Sequence, residues 1–383
     1  MTDVYLPFLS GVSTVTYTIS RELPKFGVET VLVAPDPHFH LGRVYTNSAG
    51  REVVLHPSLP LLGVYSELRF PTRYYDAEDL IIEGDTIFHI HSPMIFGTAV
   101  VKNLRNKRDK GDYSFGIIGV FHTRMSDFML KRMPPKFAGT LTRLLDFYTK
   151  HIFRRMDITT TLSNFMKKFL VQKIGIENVI VIPNPLNRAY YVKPKKSIDF
   201  YYDDIEPGSY FLYLGRISPE KNVDLLAKVF CTRKKDAPRL VFAGTGPILE
   251  KLRVAYRNTN CTFLGRVDFQ VQKSLYKDAI ALVSASDFET QGMVFLEAMA
   301  QGTPVIAYYI GGQMDYLKHE HNSLIFRRTT EIPVLAKRLM NEEELREKLG
   351  VNAEKTAYRF HPESLMPKYK KLFEKTLEES TKR

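Results

Sequence analysis

Residues 286–304 have the sequence SDFETQGMVFLEAMAQGTP, which combines a polar loop, a helix and the signals that end it. The apolar run IALVSAS at residues 280–286 is typical of a buried strand, and residues 293–301 have the pattern of a helix. Gly302 suits the left-handed position after a helix, Pro304 prevents continuation, and a second apolar run, VIAYY, follows at once. These features predict a strand–loop–helix–strand unit, with its loop at the carboxyl end of a strand. Open parallel sheets bind ligands at that end.

Two carboxylates of this stretch, Glu289 and Glu297, lie eight positions apart. On one continuous helix they would be about 80° apart in azimuth, so we expect Glu289 in the loop and Glu297 on the helix. Glu289 would then contact ligand hydroxyls, and Glu297 would hold a diol. Gly292 would let a ligand approach the backbone, and the free N–H groups of residues 292–295 suit a phosphate. The alternative, equally good on spacing alone, is a solvated acidic loop with one glutamate on a helix surface.

The composition indicates a globular, basic protein. A length of 383 residues favours two domains, and 44% hydrophobic with 25% charged residues argues against disorder. Lys and Arg number 54 against 42 Asp and Glu, a net charge of +12. This excess favours an anionic partner, which would be a phosphate-bearing ligand, an acidic lipid surface or a nucleic acid.

The two cysteines, Cys231 and Cys261, lie at no spacing typical of a metal site. We therefore expect neither a disulfide framework nor a zinc site, and a reducing compartment. No apolar run has the length of a membrane span, and the opening MTDVYLPFLSG lacks the features of a signal peptide.

Both halves of the chain alternate apolar runs with helical patterns. Strands are predicted at residues 30–35, 86–91, 115–122, 158–163 and 179–183, and at residues 210–215, 239–244, 261–265, 281–285 and 305–309. Helices are predicted at residues 12–23, 96–105, 138–155, 164–173, 223–230, 248–256, 270–277 and 293–301. This alternation predicts an α/β protein with two Rossmann-like, doubly wound parallel-sheet domains.

The predicted domains are residues 1–185 and 208–361, joined by a Pro- and Lys-containing linker at 186–207. The first domain's opening strand is expected to be very short. Residues 362–383 form a charged helix with one apolar stripe, which either caps the second domain or, as we expect, crosses back to the first.

Three further loops of the second half carry features that suit a nucleotide. Arg216 and Lys221 follow the strand YFLYLG, where a guanidinium and an ammonium would clamp a diphosphate. Gly244 and Gly246 of GTGP permit a tight turn and close backbone approach. Val267, in the next loop, would face a nucleobase. Exposed loop cations and ordinary turn glycines are the alternative explanation. Phosphate binding is favoured because the loops of Glu289, Arg216 and Gly244 all carry phosphate-type features within one half of the chain.

The first half contributes two candidate residues. Gly11 lies in the turn SGVS, and His122 ends the apolar run FGIIGVFH. A histidine at the carboxyl end of a strand would hydrogen-bond a sugar hydroxyl or assist proton movement. A satisfied core histidine is the competing interpretation.

A basic segment follows His122. Its eight cations, set against Asp127 and Asp146, are Arg124, Lys131, Arg132, Lys136, Arg143, Lys150, Arg154 and Arg155. Interleaved with them are Met125, Phe128, Met129, Leu130, Met133 and Phe137. This mixture suits the surface of an anionic membrane, and a core helix with a solvated basic face explains it slightly better on sequence alone.

Nearly the whole chain resembles the retaining, nucleotide-sugar-dependent glycosyltransferases of the GT-B fold, family 4. The resemblance is carried by LPFLSGVS, VIPNPLN, GRISPEKNVDLL, AGTGP and FETQGMVFLEAMAQGTPVIA. The last contains the family's E-x7-E signature, which is highly specific in this context. The short first strand and the NPL sequence at the linker depart from the family pattern and leave the signature intact.

The resemblance implies a first group of site residues. Gly11 would be the turn glycine near the donor phosphate and the acceptor. His122 would lie near the transferred sugar, and Arg216 and Lys221 would clamp the diphosphate.

It implies a second group around the signature. Glu289 would handle the sugar hydroxyls and Glu297 the ribose. The nucleotide and sugar would also meet Gly244, Gly246, Val267, Gln291, Gly292, Met293 and Val294.

Such an enzyme needs no metal or other cofactor, because cations and a helix N-terminus stabilise the departing nucleotide. ETQG with the apolar helix after it, and HTRMSDFM at residues 122–129, are most similar to transferases that glycosylate diacylglycerol. This similarity implies UDP-glucose or a similar donor, a lipid acceptor and a cytoplasmic location at the inner face of the membrane. A soluble sugar or polysaccharide acceptor, a hydrolysing UDP-sugar epimerase and an inactive sugar-nucleotide binder remain as alternatives. A nucleic-acid partner is not expected, because no RNA-binding or zinc-finger signature is present.

Overall fold

The computed structural model describes residues 1–2, 11–36, 43–46, 52–60, 69–71, 85–91, 93, 96–110, 115–124, 135–233 and 237–380. The chain divides into two compact units, Met1–Pro185 with Pro362–Arg383 and Leu186–His361. Two sequence features lie outside the described residues: the stretch before Gly11 in LPFLSGVS, and the Met- and Phe-rich run at 125–134.

The first unit contains mostly short strands and a few longer helices. The strands are β1 (Leu32–Pro35), β2 (Arg43–Thr46), β3 (Glu52–His56), β4 (Ser58–Pro60), β5 (Arg69–Pro71), β6 (Thr86–His91), β7 (Phe115–Phe121), β8 (Ile158–Thr161) and β9 (Val179–Val181). The helices are α1 (Gly11–Glu22), α2 (Phe96–Asp109), α3 (Pro135–Phe153), α4 (Asn164–Lys168) and the last helix of the chain, α11 (Pro362–Ser380). The predictions missed β2 to β5, which are too short to show a clear periodicity.

Parallel pairing organises the first unit. The strands β6, β7, β8 and β9 pair in that order, all in parallel. The strand β3 pairs in parallel with β1 and antiparallel with the edge strand β2. Thr2 donates its N–H to the carbonyl oxygen of Val33 at 3.1 Å, and the carbonyl oxygen of Met1 accepts from the His91 N–H at 2.9 Å. The opening residues thus hydrogen-bond to both β1 and β6.

The helix α11 packs on β7. All seven residues of β7 are buried, which explains why this strand is a continuous apolar run. A Cβ added at Gly116 would lie 2.8 Å from Cγ2 of Thr376, which is itself fully buried. The glycine therefore lets the helix lie close against the strand, and α11 belongs to the first unit.

The second unit alternates strands and helices more regularly. Its strands are β10 (Tyr210–Leu214), β11 (Arg239–Ala243), β12 (Thr262–Gly265), β13 (Ala281–Ser284), β14 (Val305–Tyr308) and β15 (Leu324–Phe326). Its helices are α5 (Val223–Phe230), α6 (Leu249–Tyr256), α7 (Phe269–Asp278), α8 (Met293–Ala300), α9 (Ile332–Asn341) and α10 (Glu343–Tyr358). The segment predicted as a linker contributes buried side chains to this unit: Leu186, Tyr190, Ile198 and Ile205.

The six strands pair in parallel in the order β12-β11-β10-β13-β14-β15. Counted within the unit, this is the doubly wound order 3-2-1-4-5-6. The order reverses between β10 and β13, so the loops that follow these two strands diverge at the same edge of the sheet. This edge is where a doubly wound sheet offers a ligand site.

The expectation that the two cysteines form no disulfide bond is wrong. Cys231 and Cys261 form a disulfide bond, with Cα atoms 5.2 Å apart. The bond joins the end of α5 to the start of β12, two points that lie 30 residues apart in sequence and meet only through the fold. The cysteines therefore give no support to a reducing compartment.

Candidate active site

The loop after β10 is held in place by Asn222. This residue has a left-handed backbone conformation, with φ of 51°, immediately before α5 begins. Its Nδ2 donates to the carbonyl oxygen of Ala285 at 3.0 Å, just after β13. Asparagine adopts this conformation more readily than other non-glycine residues do, and residues held in it cluster at functional sites. The side-chain bond ties the two diverging loops together.

Lys221 and Glu289 meet between these loops. Lys221 Nζ lies 2.6 Å from Glu289 Oε1, and the side chains are 31% and 15% exposed. Burial, followed by the nearby charge of Glu289, raises the pKa of the buried tyrosines Tyr213 and Tyr316 well above the usual range. The sequence placed Lys221 and Glu289 68 positions apart, and the strand order brings them into one ion pair.

Arg216 lies in the same loop as Lys221 and is more open. Its side chain is 44% exposed, and its Nε is 3.8 Å from Oε1 of Glu220. Its carbonyl oxygen accepts a hydrogen bond from the Tyr213 hydroxyl at 2.7 Å. At this length the ion pair holds the half-exposed guanidinium only weakly, so Arg216 is available to an anionic ligand.

The glycines of GTGP allow two loops to pack backbone against backbone. A Cβ at Gly244 would lie 1.9 Å from the carbonyl oxygen of Gly215, and one at Gly246 would lie 2.1 Å from that of Ile217. Hydrogen bonds continue the sheet beyond the strands here, from Ile217 N–H to the carbonyl of Thr245 at 2.9 Å. The close approach made possible by these glycines supports the loop that carries Arg216 and Lys221.

The loop that carries Glu289 is supported from the opposite side. Gly312 donates its N–H to the Glu289 carbonyl at 2.7 Å, and a Cβ at Gly311 would lie 2.7 Å from the same oxygen. The Tyr316 hydroxyl lies 2.7 Å from the carbonyl oxygen of Gln291 and 3.0 Å from that of Gly292. With the carbonyl groups engaged in this way, the loop leads directly into the N-terminus of α8.

The start of α8 requires glycine at position 292. Gly292 has φ of 78°, and an added Cβ would lie 2.5 Å from the ring of Phe295. The helix begins at Met293, which is half-buried together with Val294. The first N–H groups of α8 therefore follow a bare backbone turn, as phosphate binding at a helix N-terminus requires.

Glu297 occupies a different environment on α8. Its Oε2 accepts hydrogen bonds from the Tyr276 hydroxyl at 2.7 Å and from Gln272 Nε2 at 3.0 Å. Burial raises the pKa of Glu297 to about 7, although these hydrogen bonds lower it. Both donors lie on α7, whose N-cap Asp268 directly follows the half-buried Val267. The loop that carries Val267 and the side chain of Glu297 are thus connected through α7.

The remaining two candidates lie in the first unit. His122 directly follows β7, is 3% exposed, and has Nε2 2.8 Å from Nδ1 of His91. Gly11 is the first residue of α1 and is exposed, and within the described residues an added Cβ would meet no neighbour.

Sequence reasoning missed several residues that support the site: Asn222, Tyr213, Tyr316, Gly311, Tyr276, Gln272 and His91. Asn222 directly follows Lys221 at a helix start, and the pair GG at 311–312 follows the strand β14, so both carried a local signal. The tyrosines and Gln272 gave none, because their partners are defined by the tertiary structure. Among the residues that the structure describes, no group of three or more His, Cys, Asp or Glu side chains could hold a metal ion.

Two family models match the chain. The model for glycosyl transferases group 1 matches residues 198–356, and the model for glycosyltransferase family 4 matches residues 9–190. The chain belongs to the family 4 glycosyltransferases. This confirms the predicted family and the enzyme class.

Three curated relatives are similar to this glycosyltransferase over most of its length. The alpha-monoglucosyldiacylglycerol synthase of Streptococcus pneumoniae is 26% identical over 94% of this chain and 83% of its own length. The enzyme of the same name from Acholeplasma laidlawii is 24% identical over 92% and 90%. The N-acetyl-alpha-D-glucosaminyl L-malate synthase of Bacillus anthracis is 23% identical over 96% and 94%.

Solved structures confirm the α/β GT-B fold. Sucrose-phosphate synthase from Thermosynechococcus elongatus has a TM-score of 0.76 and 17% identity, with 96% of this glycosyltransferase and 93% of that chain covered. Anabaena HepE in complex with UDP-glucose has a TM-score of 0.67 and 15% identity, with 98% and 100% covered. At these identities the likeness concerns the fold alone.

Proposed function

We propose that this glycosyltransferase moves a hexose, with retention of configuration, from a nucleoside-diphosphate sugar to a membrane lipid hydroxyl. The donor is UDP-glucose or a similar sugar nucleotide, and the acceptor is a lipid such as diacylglycerol. The observation that carries the donor proposal is the Lys221–Glu289 pair, 2.6 Å apart at the switch point of the sheet, with Arg216 in the same loop.

The cations would stabilise the leaving group. As the bond between the sugar and the diphosphate breaks, negative charge grows on the phosphate oxygens while the sugar becomes oxocarbenium-like. A diphosphate that attracts Lys221 would release Glu289 from its ion pair, so the carboxylate could accept hydrogen bonds from sugar hydroxyls. Arg216 and the N–H groups at the start of α8 would complete this electrostatic stabilisation.

The rest of the donor would lie along α8 and α7. The backbone of Gln291, Gly292, Met293 and Val294 would contact sugar and phosphate. Glu297 would hold the ribose diol with the oxygen atoms that Tyr276 and Gln272 leave accessible, and Val267 would face the base. Gly244 and Gly246 would act by supporting the diphosphate loop.

The lipid acceptor is supported by relatives and by an exposed face of α3. Both alpha-monoglucosyldiacylglycerol synthases named above are lipid glycosyltransferases by name. On α3, Leu144, Phe147 and Tyr148 are 62%, 66% and 37% exposed and form one stripe with the exposed His151. We call these four residues the α3 stripe. Its neighbours Arg143 and Arg154 are exposed cations, so apolar contact and attraction to anionic headgroups would act together.

A soluble acceptor is the second candidate, because the malate synthase named above covers the chain equally well. The decisive experiment incubates the purified protein with radiolabelled UDP-, GDP- and ADP-sugars, with diacylglycerol vesicles, malate or no acceptor. Lipid-soluble label with an α linkage supports the proposal. Label transferred to malate alone overturns the lipid acceptor, and free UDP released equally without acceptor would indicate hydrolysis or epimerisation.

We further propose that the reaction requires no metal ion, because Arg216 and Lys221 supply positive charge where a metal would otherwise neutralise the diphosphate. Activity in the preceding assay should therefore persist, within about twofold, after dialysis against EDTA. Loss of activity that added Mg²⁺ restores would contradict this part of the proposal.

Membrane docking has its own test. Within the described ranges, no helix combines the length and the apolar character needed to cross a bilayer. Vesicles that contain anionic lipid should sediment the protein, and high salt should release it, because screening weakens surface charge attraction. The double variant Leu144→Gln with Phe147→Gln should sediment less. Val351→Gln, which alters a 53% exposed apolar residue of α10, is the matched control. Equal sedimentation of both variants would remove the α3 stripe from the docking surface.

A further inference from the structure

Three histidines of the first unit form a hydrogen-bonded chain across two neighbouring strands. His89 and His91 lie two positions apart on β6 and therefore project to the same face of the sheet. His91 Nδ1 lies 2.8 Å from His122 Nε2, and His91 Nε2 lies 3.2 Å from His89 Nδ1. His91 and His122 are only 2% and 3% exposed. We call these three residues the histidine chain.

Each ring of the histidine chain is neutral at physiological pH. Burial lowers the pKa of His122 to about 3. Burial, followed by the charges of neighbouring groups, also lowers the pKa of His89 and His91 well below the usual range. A neutral imidazole carries one N–H donor and one bare acceptor nitrogen.

Two proton arrangements alone satisfy both hydrogen bonds. His91 has one proton, so it donates in one of its bonds and accepts in the other. If His91 donates to His122, then His89 donates to His91, and the proton of His122 is on Nδ1. If the direction is reversed, His122 donates from Nε2 and its Nδ1 is bare. The tautomer of His122 is therefore coupled to the tautomer of His89.

The surroundings of His89 decide between the two proton arrangements. His89 Nε2 is buried and has no hydrogen-bond partner in the part of the chain that the structure describes. Aromatic rings of α11 cover His89, with the centroids of Tyr369 and Phe373 at 5.8 and 5.3 Å. Buried N–H groups without an acceptor are rarer than buried acceptors without a donor. The bare nitrogen is therefore favoured at His89 Nε2, and the donors point from His89 through His91 to His122.

We propose that His91 and His89 hold His122 in the tautomer with its proton on Nδ1, so that His122 presents an N–H donor and not a base. His91 and His89 are then positioning residues. Within the proposed function, His122 would donate a hydrogen bond to an oxygen of the sugar or acceptor and would not remove a proton. This consequence rests on the proposed function, whereas the tautomer is a property of the free protein.

The test uses the full chain with ¹⁵N-labelled histidine. A long-range ¹H–¹⁵N correlation at about pH 8, where an ordinary imidazole is neutral, shows which ring nitrogen of each histidine carries the proton. The spectrum of His122→Gln identifies the signals of His122. His319 is an internal reference for the opposite tautomer, because its Nδ1 accepts the Ile325 N–H at 2.9 Å. A protonated Nδ1 in His122 is the expected result, and a protonated Nε2 with a bare Nδ1 overturns the proposal.

Variants of His91 separate positioning from simple support of the fold. His91→Asn keeps an amide donor near the position of Nδ1, so the His122 tautomer should be unchanged. His91→Leu removes the donor, so His122 should shift towards protonation on Nε2. Once an active sugar-nucleotide donor is known, kcat/KM should fall about tenfold in His91→Leu and less than threefold in His91→Asn. The two variants should have similar melting temperatures. An unchanged His122 tautomer in His91→Leu would contradict the proposal, and this result does not depend on identifying a sugar-nucleotide donor.

Discussion

The two signature glutamates lie on one loop and helix yet occupy opposite electrostatic environments. Glu289 faces the ammonium of Lys221 at 2.6 Å. Glu297 faces neutral donors, the phenol of Tyr276 at 2.7 Å and the amide of Gln272 at 3.0 Å. A cation compensates the first carboxylate, whereas hydrogen bonds alone offset the desolvation of the second, and its pKa rises to about 7.

The difference shows how one residue type serves two purposes. In the proposed function, the ion pair would hold the Glu289 carboxylate until an anionic ligand competes for Lys221. The charge of Glu297 depends instead on pH, so its capacity to accept hydrogen bonds from a ribose diol would be reduced as the proton binds. The comparison therefore predicts that substitutions near Glu289 act on turnover and that substitutions near Glu297 act on donor affinity.

The largest effect is expected from Lys221→Ala. Removal of a cation that stabilises developing negative charge should lower kcat/KM by about 10²- to 10³-fold. The melting temperature should change little, because partly exposed ion pairs add little to stability. Steady-state kinetics with the donor found in the screen, together with thermal unfolding, would measure both.

Lys228→Ala is the matched control, because Lys228 lies on α5 with a 72% exposed side chain. A double-mutant cycle with Glu289→Gln then tests whether the pair acts as one unit. In the proposed function the diphosphate separates the pair and each side chain then contacts its own part of the donor, so the two losses should be roughly additive. A double variant that loses no more activity than Lys221→Ala alone would mean that the pair acts as one unit and would contradict the release of Glu289.

The second prediction concerns the pH dependence of donor binding. With a pKa of about 7, Glu297 is ionised at pH 8 and about nine-tenths protonated at pH 6. The donor KM should therefore rise about five- to tenfold between pH 8 and pH 6.

Folding also raises the pKa of Glu297, so the contribution of this residue to the free energy of unfolding falls as pH rises from about 4.5 to about 7.

The control variants change the proton affinity in known directions. Glu297→Gln should bind the donor weakly at both pH values, without the pH dependence. Tyr276→Phe removes a hydrogen bond that lowers the pKa of Glu297, so it should move the rise in KM to higher pH. A 2′-deoxyribose donor should show a smaller rise. An identical pH profile for wild type and Glu297→Gln would assign the dependence to another group.

The elements of this site were predictable from sequence to the extent that local signals define them. Apolar runs located β10 and β13, and glycine and proline located the ends of α8, so the placement of Glu289 in a loop and Glu297 on a helix followed from sequence. The strand order was not predictable, because pairing of β10 with β13 depends on contacts across the whole unit. For that reason the Lys221–Glu289 contact and the disulfide between Cys231 and Cys261 were visible only in the structure.

The smallest effect is expected at Asn222, which connects the Lys221 loop to the end of β13. Asn222→Gly keeps the left-handed backbone accessible and removes the hydrogen bond to Ala285, so the free energy of unfolding should change by less than about 1 kcal/mol. Asn222→Ala also introduces backbone strain and should lose about 1–2 kcal/mol. If the bond positions Lys221 against Glu289, kcat/KM should fall a few-fold in both variants, roughly alike, despite their different stabilities. Wild-type kinetics in Asn222→Gly would show that Lys221 reaches Glu289 without this hydrogen bond. If instead kcat/KM fell more in Asn222→Ala than in Asn222→Gly, in step with the loss of stability, Asn222 would have only a structural role.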